Sequence, residues 1–426
     1  MTLHPEAQDR NARLAVAAPA VLEALSPLAR RAFFPKGIPY QAGQAAGCAI
    51  NATIGQITDG EGNPLPLAKL GELLGHLPAK DAFLYSPIGG RTRAKELWHA
   101  KLQREDPRMA EVGLPAVTAG ICHAISMGAD LFFHPGDTLI LPDLYWDNYE
   151  QIFGIRLEGS FVRYPFYDGE GFNIAGLKAA LDAQPGRAHV LLNFPSNPSG
   201  YSPTPAEQAA LADVLSEASR DRSVVVYCDD AYHGLVFEAT ASSKSLFFEL
   251  AARNISGRCP NLIALKSDGA TKELSFFGSR VGFLTFGVSR EAAAILVDKS
   301  MSLIRSGVGS PVGLSQYLVE EELADPRHDA EFERLRSLLG RRYRILKDRL
   351  AKPSEHWTVY PFNAGCFCLL ELRKGLDADA VRQRLIQEGV GVVNQGATQL
   401  RLAFCSLKEE AIAPLVEALE RVCGKM

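Results

Sequence analysis

The middle of the chain alternates short apolar runs with longer amphipathic stretches. The runs are AVTAG (116–120), TLILP (138–142), HVLLNFP (189–195), VVVYCDD (224–230), LIALKS (262–267) and VGFLTF (281–286). They are β-branched or otherwise apolar and lie near turn-forming residues, the pattern of strands buried on both faces. Helical stretches such as PAEQAALADVLSEASR (205–220) separate several of them. Strand and helix in alternation predict an α/β fold, with a mostly parallel sheet between layers of helices. Sheets of this kind bind ligands beyond the carboxyl ends of their strands. Chemistry is therefore sought where the runs end.

After Gly309 the rhythm changes. A helical region over about 314–350 is interrupted near Asp325-Pro326. A strand CFCLLEL (366–372), a helix over about 377–388, the short strands GVGVV and QLRLAF, and a last helix follow. This alternation predicts a smaller α+β unit. Residues 1–55 lack strand rhythm and are expected to wrap around that unit. The expected division is an N-terminal segment over 1–55, a large domain over 56–312 and the rest of the small domain over 313–426.

Composition narrows the function. At 426 residues the chain exceeds one typical core, at roughly 100–200 residues per domain. The net charge of -4, with acids and bases mixed, speaks against nucleic acid as a partner, because phosphate binding needs a basic face. The first twenty residues carry acids and no apolar core of signal type, and no stretch reaches roughly 18 continuous apolar residues, so no membrane partner and a cytoplasmic location are expected. The cysteines are scattered. Cys366 and Cys368 are expected on one face of a strand, as buried thiols. No Cys/His cluster appears, so no metal is expected.

Three run ends carry polar groups. LIALKSDGATKELSFFGSR delivers Lys272 from a buried strand, with Arg280 eight residues on. Burial disfavours an ammonium, and a lysine so depressed can form a Schiff base with an aldehyde; a solvated loop lysine is the plainer alternative. VVVYCDDAYHG leads into Asp229, with Tyr232 beyond it. A carboxylate there is a turn residue, a metal ligand without companions, or the partner of a protonated pyridine nitrogen. LLNFPSNPSG ends a third run in Asn197 and Gly200, by itself only a turn signal.

Together these residues carry a resemblance. N-P-S-G, then D-x-A-Y, then lysine with arginine eight residues later resembles the fold type I, class I/II aminotransferases in order and spacing. NATIGQITDGEGNPLPL (51–67), YSPIGG (85–90), LYWDNY (144–149) and QLRLAF (399–404) extend the likeness over nearly the whole chain, closest to the aspartate and aromatic subgroup. The resemblance implies a seven-stranded large domain and pyridoxal 5'-phosphate as cofactor. It implies Lys272 as the Schiff-base lysine and base, Asp229 on the ring nitrogen, and Tyr232 and Asn197 on the ring hydroxyl. Arg280 and the backbone of Gly120, Ile121 and Cys122 would hold the phosphate, and Trp146 would stack on the ring. Arg401, helped by Gly55, would bind the substrate carboxylate. Tyr85 and Arg305 would reach the neighbouring subunit's site in a homodimer, Arg305 toward a distal carboxylate.

Two departures accompany it. Gly269 stands where the family often has a serine that reaches the phosphate, and Tyr149 where a histidine commonly supports the ring-nitrogen aspartate. The activity implied is transfer of the amino group of an L-amino acid, with aspartate, glutamate and aromatic amino acids as candidates, to a 2-oxo acid such as 2-oxoglutarate. A β-eliminating C–S lyase of the same fold would keep most of these residues and is the alternative. A non-enzymatic regulator that binds the cofactor is a further one, opposed by the short, non-basic stretch before the first matching loop.

Overall fold

In the computed structural model, which describes residues 3–426, the apolar runs form one sheet. Its strands are β1 (Ala116–Thr118), β2 (Thr138–Pro142), β3 (Ser160–Tyr164), β4 (Ala188–Asn193), β5 (Val224–Asp229), β6 (Leu262–Gly269) and β7 (Gly282–Phe286). They lie in the order β1-β7-β6-β5-β4-β2-β3. Neighbours from β6 through β3 are parallel, whereas β7 runs antiparallel to both β6 and β1. Every residue of β4 and β5 is buried, as both-face coverage requires.

Helices on both faces supply that coverage. Helix α1 (Ile121–Phe132) follows β1 directly, and α2 (Pro205–Ala218) joins β4 to β5. The start of α2 is written locally: the Thr204 hydroxyl accepts from the Glu207 N–H at 3.2 Å, while the Glu207 carboxylate accepts from the Thr204 N–H at 2.7 Å. Two long helices, α3 (Arg290–Gly307) and α4 (His328–Leu350), lead toward the C-terminal region, with a shorter one, Gly313–Ala324, between them. The break expected at Asp325-Pro326 falls between Ala324 and His328.

A second, antiparallel sheet contains β8 (Trp357–Val359), β9 (Phe367–Leu372), β10 (Val393–Gln395) and β11 (Gln399–Ala403), in the order β8-β9-β11-β10. It has its own core, including Trp357, Leu370, Leu400, Phe404, Leu415 and Leu419. The N-terminal segment is mostly short helices and touches both cores. Ile50–Asn51 pairs in parallel with Val390–Gly391, and Gln41 exchanges hydrogen bonds with the Asn394 backbone. On the other side Arg31 reaches the Ile155 carbonyl at 3.2 Å and Glu158 at 2.9 Å.

One expectation is corrected. Cys366 and Cys368 are both buried but do not share a face. Cys366 precedes β9 and packs with the large core, whereas Cys368 points into the small one. Strand alternation does not apply across a bend. No helix among the described residues is long and apolar enough to cross a membrane.

Candidate active site

The carboxyl ends of β4, β5 and β6 open onto a cavity of about 470 Å³. Its wall includes Lys272, Asp229, Tyr232, Asn197, Arg280, Arg401, Trp146, Ile121, Cys122 and Gly55. Residues far apart in sequence are thus brought together at the position that strand topology favours for a ligand.

Asp229 ends β5 and is 3% exposed. Its Oδ1 accepts from the Ala231 N–H at 3.1 Å and its Oδ2 from the Tyr149 hydroxyl at 2.5 Å. Burial pushes the carboxyl pKa up, and the Tyr149 hydrogen bond and the Lys272 charge pull it back. On the neighbouring strand, Asn193 donates to the Asp229 carbonyl at 2.7 Å, and its own Oδ1 accepts from the Asn197 N–H at 2.7 Å. Asn193 was not singled out in the sequence, where it is the polar end of an apolar run. It locks the loop carrying Asn197 to the strand carrying Asp229.

Lys272 stands on a single helical turn, Ala270–Glu273, at the end of β6. Its Nζ lies 5.0 Å from the centroid of the Tyr232 ring, and burial lowers its pKa against the opposing pull of Asp229. No carboxylate pairs with it among the described residues. The backbone around it explains one departure. A Cβ at Gly269 would lie 2.5 Å from the Val281 carbonyl oxygen, so serine does not fit there as the backbone stands. Thr271 lines the cavity instead.

The opposite end of the cavity suits an anion. Gly120, at φ 87°, is the residue before α1, and no side chain caps that helix start. A Cβ on Gly120 would lie 2.4 Å from Nη2 of Arg280. Glycine is what lets the guanidinium lie against the helix N-terminus. Burial raises the Cys122 thiol pKa, and Cys122 accepts from Asn148 Nδ2 at 3.1 Å. Trp146 is half-buried, edge-on to Tyr149 at 5.6 Å.

Arg401 comes from β11 and is 1% exposed. Nη1 donates to Asn197 Oδ1 at 2.9 Å and Nη2 to the Thr53 carbonyl at 2.6 Å, while the guanidinium lies 4.3 Å from the Phe367 ring centroid. Its Nε–H has no partner among the described residues. A buried guanidinium with no carboxylate and an unused donor is a site prepared for an anion. Gly55 lies beside Phe367, at 2.4 Å from where its Cβ would stand, so the chain passes close over this end.

Two expected residues are not brought here by a single chain. Tyr85 is 97% exposed, and Arg305 is exposed in the last turn of α3. The cavity is also lined by Ile38, Ile54, Gln56 and Phe277, which were not singled out in the sequence.

Residues 49–419 match the family described as aminotransferase class I and II. An aspartate aminotransferase of Rhizobium meliloti (strain 1021) is 28% identical over 352 residues, covering 80% of this chain and 81% of the relative. An aspartate/prephenate aminotransferase of Cereibacter sphaeroides is 26% identical over 352 residues, covering 80% and 82%. Among solved structures, a kynurenine aminotransferase of Pyrococcus horikoshii in complex with PMP superposes with a TM-score of 0.75 at 17% identity, over 95% of this chain and 98% of that one. At that identity the likeness concerns the fold.

Proposed function

The chain belongs to the class I and II aminotransferases, pyridoxal-phosphate enzymes, and we propose that the cavity at the ends of β4, β5 and β6 is its active site, with Lys272 as the lysine that binds the cofactor aldehyde. The residues present suit that cofactor. A carboxylate, an indole and a primary amine surround one end, and an arginine against an uncapped helix start forms the other. Pyridoxal phosphate supplies a carbonyl carbon for the amino group and a cationic ring that withdraws electrons from the substrate.

The rest falls to this chain's own groups. Asp229 holds the proton on the ring nitrogen, and Asn197 and Tyr232 face the ring hydroxyl. Arg280, Thr271 and the backbone of Gly120, Ile121 and Cys122 hold the phosphate, and Trp146 covers the ring. Arg401 takes the substrate α-carboxylate, with the Gly55 backbone beside it. Lys272, when not bound to cofactor, moves the proton at the substrate Cα. The observation that carries the reading is a pair of cations in the cavity wall with no carboxylate partner among the described residues: Arg401, held by neutral groups only, has an unused Nε–H, and Lys272 has no carboxylate in contact.

The substrates we propose are an L-amino acid, drawn from aspartate, glutamate and the aromatic amino acids, and a 2-oxo acid such as 2-oxoglutarate. Arg305 is the candidate for a distal carboxylate. It serves one only in a homodimer, which we also propose. In support, Phe83, Leu84 and Tyr85 are 87%, 69% and 97% exposed, and Val308 and Val312 add apolar surface near the same loop, since a Cβ on Gly313 would lie 3.6 Å from the Leu84 carbonyl. We take the large domain as 56–312, with 313–426 as the C-terminal part of the small domain and 1–55 as the segment associated with that small domain.

Borohydride reduction tests the central assignment. Reduction should fix the cofactor to the Lys272 peptide in the wild-type enzyme and to no peptide in Lys272→Ala. A label on another lysine overturns it.

A further inference from the structure

Tyr149 does not line the cavity, yet it touches the carboxylate that does. It is 0% exposed and approaches Asp229 from behind, edge-on to Trp146. Its hydroxyl donates to Asp229 Oδ2 at 2.5 Å, and no other partner of that hydroxyl is found among the described residues. The second oxygen, Oδ1, is taken by the Ala231 N–H. Both donors point at the carboxylate, and hydrogen bonds to an ionised carboxylate are stronger than those to its neutral acid, so the pair favours the charged form. Each oxygen keeps a lone pair for a further donor.

We propose that Tyr149 is a positioning residue for Asp229, whose neutral hydroxyl holds the carboxylate ionised and turned into the cavity. This inference rests on the reading of Asp229 as the ring-nitrogen partner. A phenol in this place differs from an imidazole in one respect. An imidazole changes charge between about pH 5 and 8. Burial and the Asp229 charge push the Tyr149 phenol well above its ordinary 10.0, so it stays neutral throughout that range. The other titratable groups around Asp229 are Lys272 from the end of β6, Asp230 and Tyr232 from its own loop, and Cys122 from α1. Burial keeps the Cys122 thiol and the Tyr232 phenol protonated. Burial disfavours the Lys272 ammonium, and Asp230 is paired with Lys266 at 2.5 Å. The wild-type enzyme is therefore expected to keep the ring-nitrogen proton without a step across neutral pH.

The test uses holoenzyme reconstituted with pyridoxal phosphate labelled with ¹⁵N in the ring, read by NMR from mildly acidic to mildly basic pH. The wild type should show a protonated nitrogen at every pH. Tyr149→Phe should move the signal toward the unprotonated value and weaken cofactor binding about tenfold, the loss of one hydrogen bond to a charged group. Tyr149→His should restore the protonated signal with a pH-dependent step. A wild-type signal at every pH in Tyr149→Phe overturns the proposal. If that variant does not fold, a step-free signal in Tyr149→His overturns it equally. A signal unmoved by Asp229→Asn removes the underlying reading of Asp229, and the inference with it.

Discussion

The loops after β5 and β6 present two unlike surfaces, built from adjacent residues. Asp229, Tyr232 and Lys272 face the cavity, while their neighbours Asp230, His233 and Glu273 turn away into a buried ion network. On that far side both lysines of the network are matched. Lys266, 0% exposed, pairs with Asp230 at 2.5 Å and Asp268 at 3.0 Å. Lys101 pairs with Glu105 and Glu273 at 2.8 Å each, His233 meets Glu105 at 2.5 Å, and Trp98 donates to Asp268 at 3.1 Å. On the cavity side Lys272, Arg280 and Arg401 have no carboxylate partner among the described residues. Charges satisfied inside the chain hold the strand ends in place. Charges left unsatisfied beside the cavity, from buried Arg401 through half-buried Lys272 to exposed Arg280, mark what a ligand must bring.

Two lysines give the sharpest way to break this comparison. Lys266→Met leaves Asp230 and Asp268 buried without their cation and should cost about 3–5 kcal/mol of stability. Burial pulls the Lys266 pKa down, but Asp230 and Asp268 push it above its ordinary 10.5. The contribution is thus fully present below that pH and fades only above it. Lys272→Met removes an ammonium that burial already disfavours, and the apoenzyme should unfold at a urea concentration no lower than wild type. Urea titration of both apoenzymes decides. Equal losses would mean that the two sides do not differ in kind.

Arg401 offers the next largest effect. Arg401→Gln should raise KM for the amino acid by roughly ten- to a hundredfold, the loss of a charge-assisted hydrogen bond, and leave cofactor affinity near wild type. Steady-state kinetics with a cofactor titration checks both halves. An unchanged KM would return Arg401 to the structural side of the comparison, as the clamp between Asn197 and Thr53.

Much of this division was legible in the sequence because the same local signal writes both halves. The buried runs ending in Asp229, Asn197 and Lys272 were visible as apolar stretches with polar ends, and they are adjacent strands in the sheet. Strand β3 was not, because it lies at the sheet edge, where SFVRY is exposed or half-exposed over most of its length and lacks a continuous apolar run. The antiparallel sense of β7 leaves no mark on VGFLTF, since a strand buried on both faces reads alike in either direction. Tyr149 stood out only as a departure from histidine. Its partner is 80 residues away, and only the fold shows that a phenol fills the same place. Gly269 likewise owes its identity to the Val281 carbonyl across the β6–β7 pair.

Tyr85 sharpens the cavity side from outside the chain. With the phenol 97% exposed and the cavity end we assign to the phosphate lacking one among the described residues, the expectation is donation across a twofold interface. Tyr85→Phe should weaken cofactor binding about tenfold. Hybrids decide the geometry. In a dimer of Lys272→Ala with Tyr85→Phe subunits, action across the interface leaves one site complete, with Lys272 from one chain and Tyr85 from the other, and wild-type cofactor affinity at that site. If Tyr85 serves its own chain, the only site with Lys272 also lacks the phenol, and affinity stays at the Tyr85→Phe level. A fully active monomer by sedimentation would sink the shared site altogether.

The smallest effect concerns the unmatched lysine itself. Only the neutral amine of Lys272 attacks an aldehyde, so capture of pyridoxal phosphate by the apoenzyme should rise with pH through a midpoint set by Lys272. Burial moves that midpoint below the ordinary 10.5, because it penalises the ammonium, and Asp229 resists by favouring the charge. Asp229→Asn removes the resisting carboxylate. The midpoint should then fall further, and at a pH below both midpoints the variant should capture cofactor faster, even though it later holds the ring nitrogen less well. Stopped-flow absorbance against pH separates the two consequences: the rate reports the amine and the equilibrium reports the carboxylate. A midpoint at or above 10.5, or one that rises in Asp229→Asn, would show that Lys272 is solvated and that the cavity side is no drier than an ordinary loop.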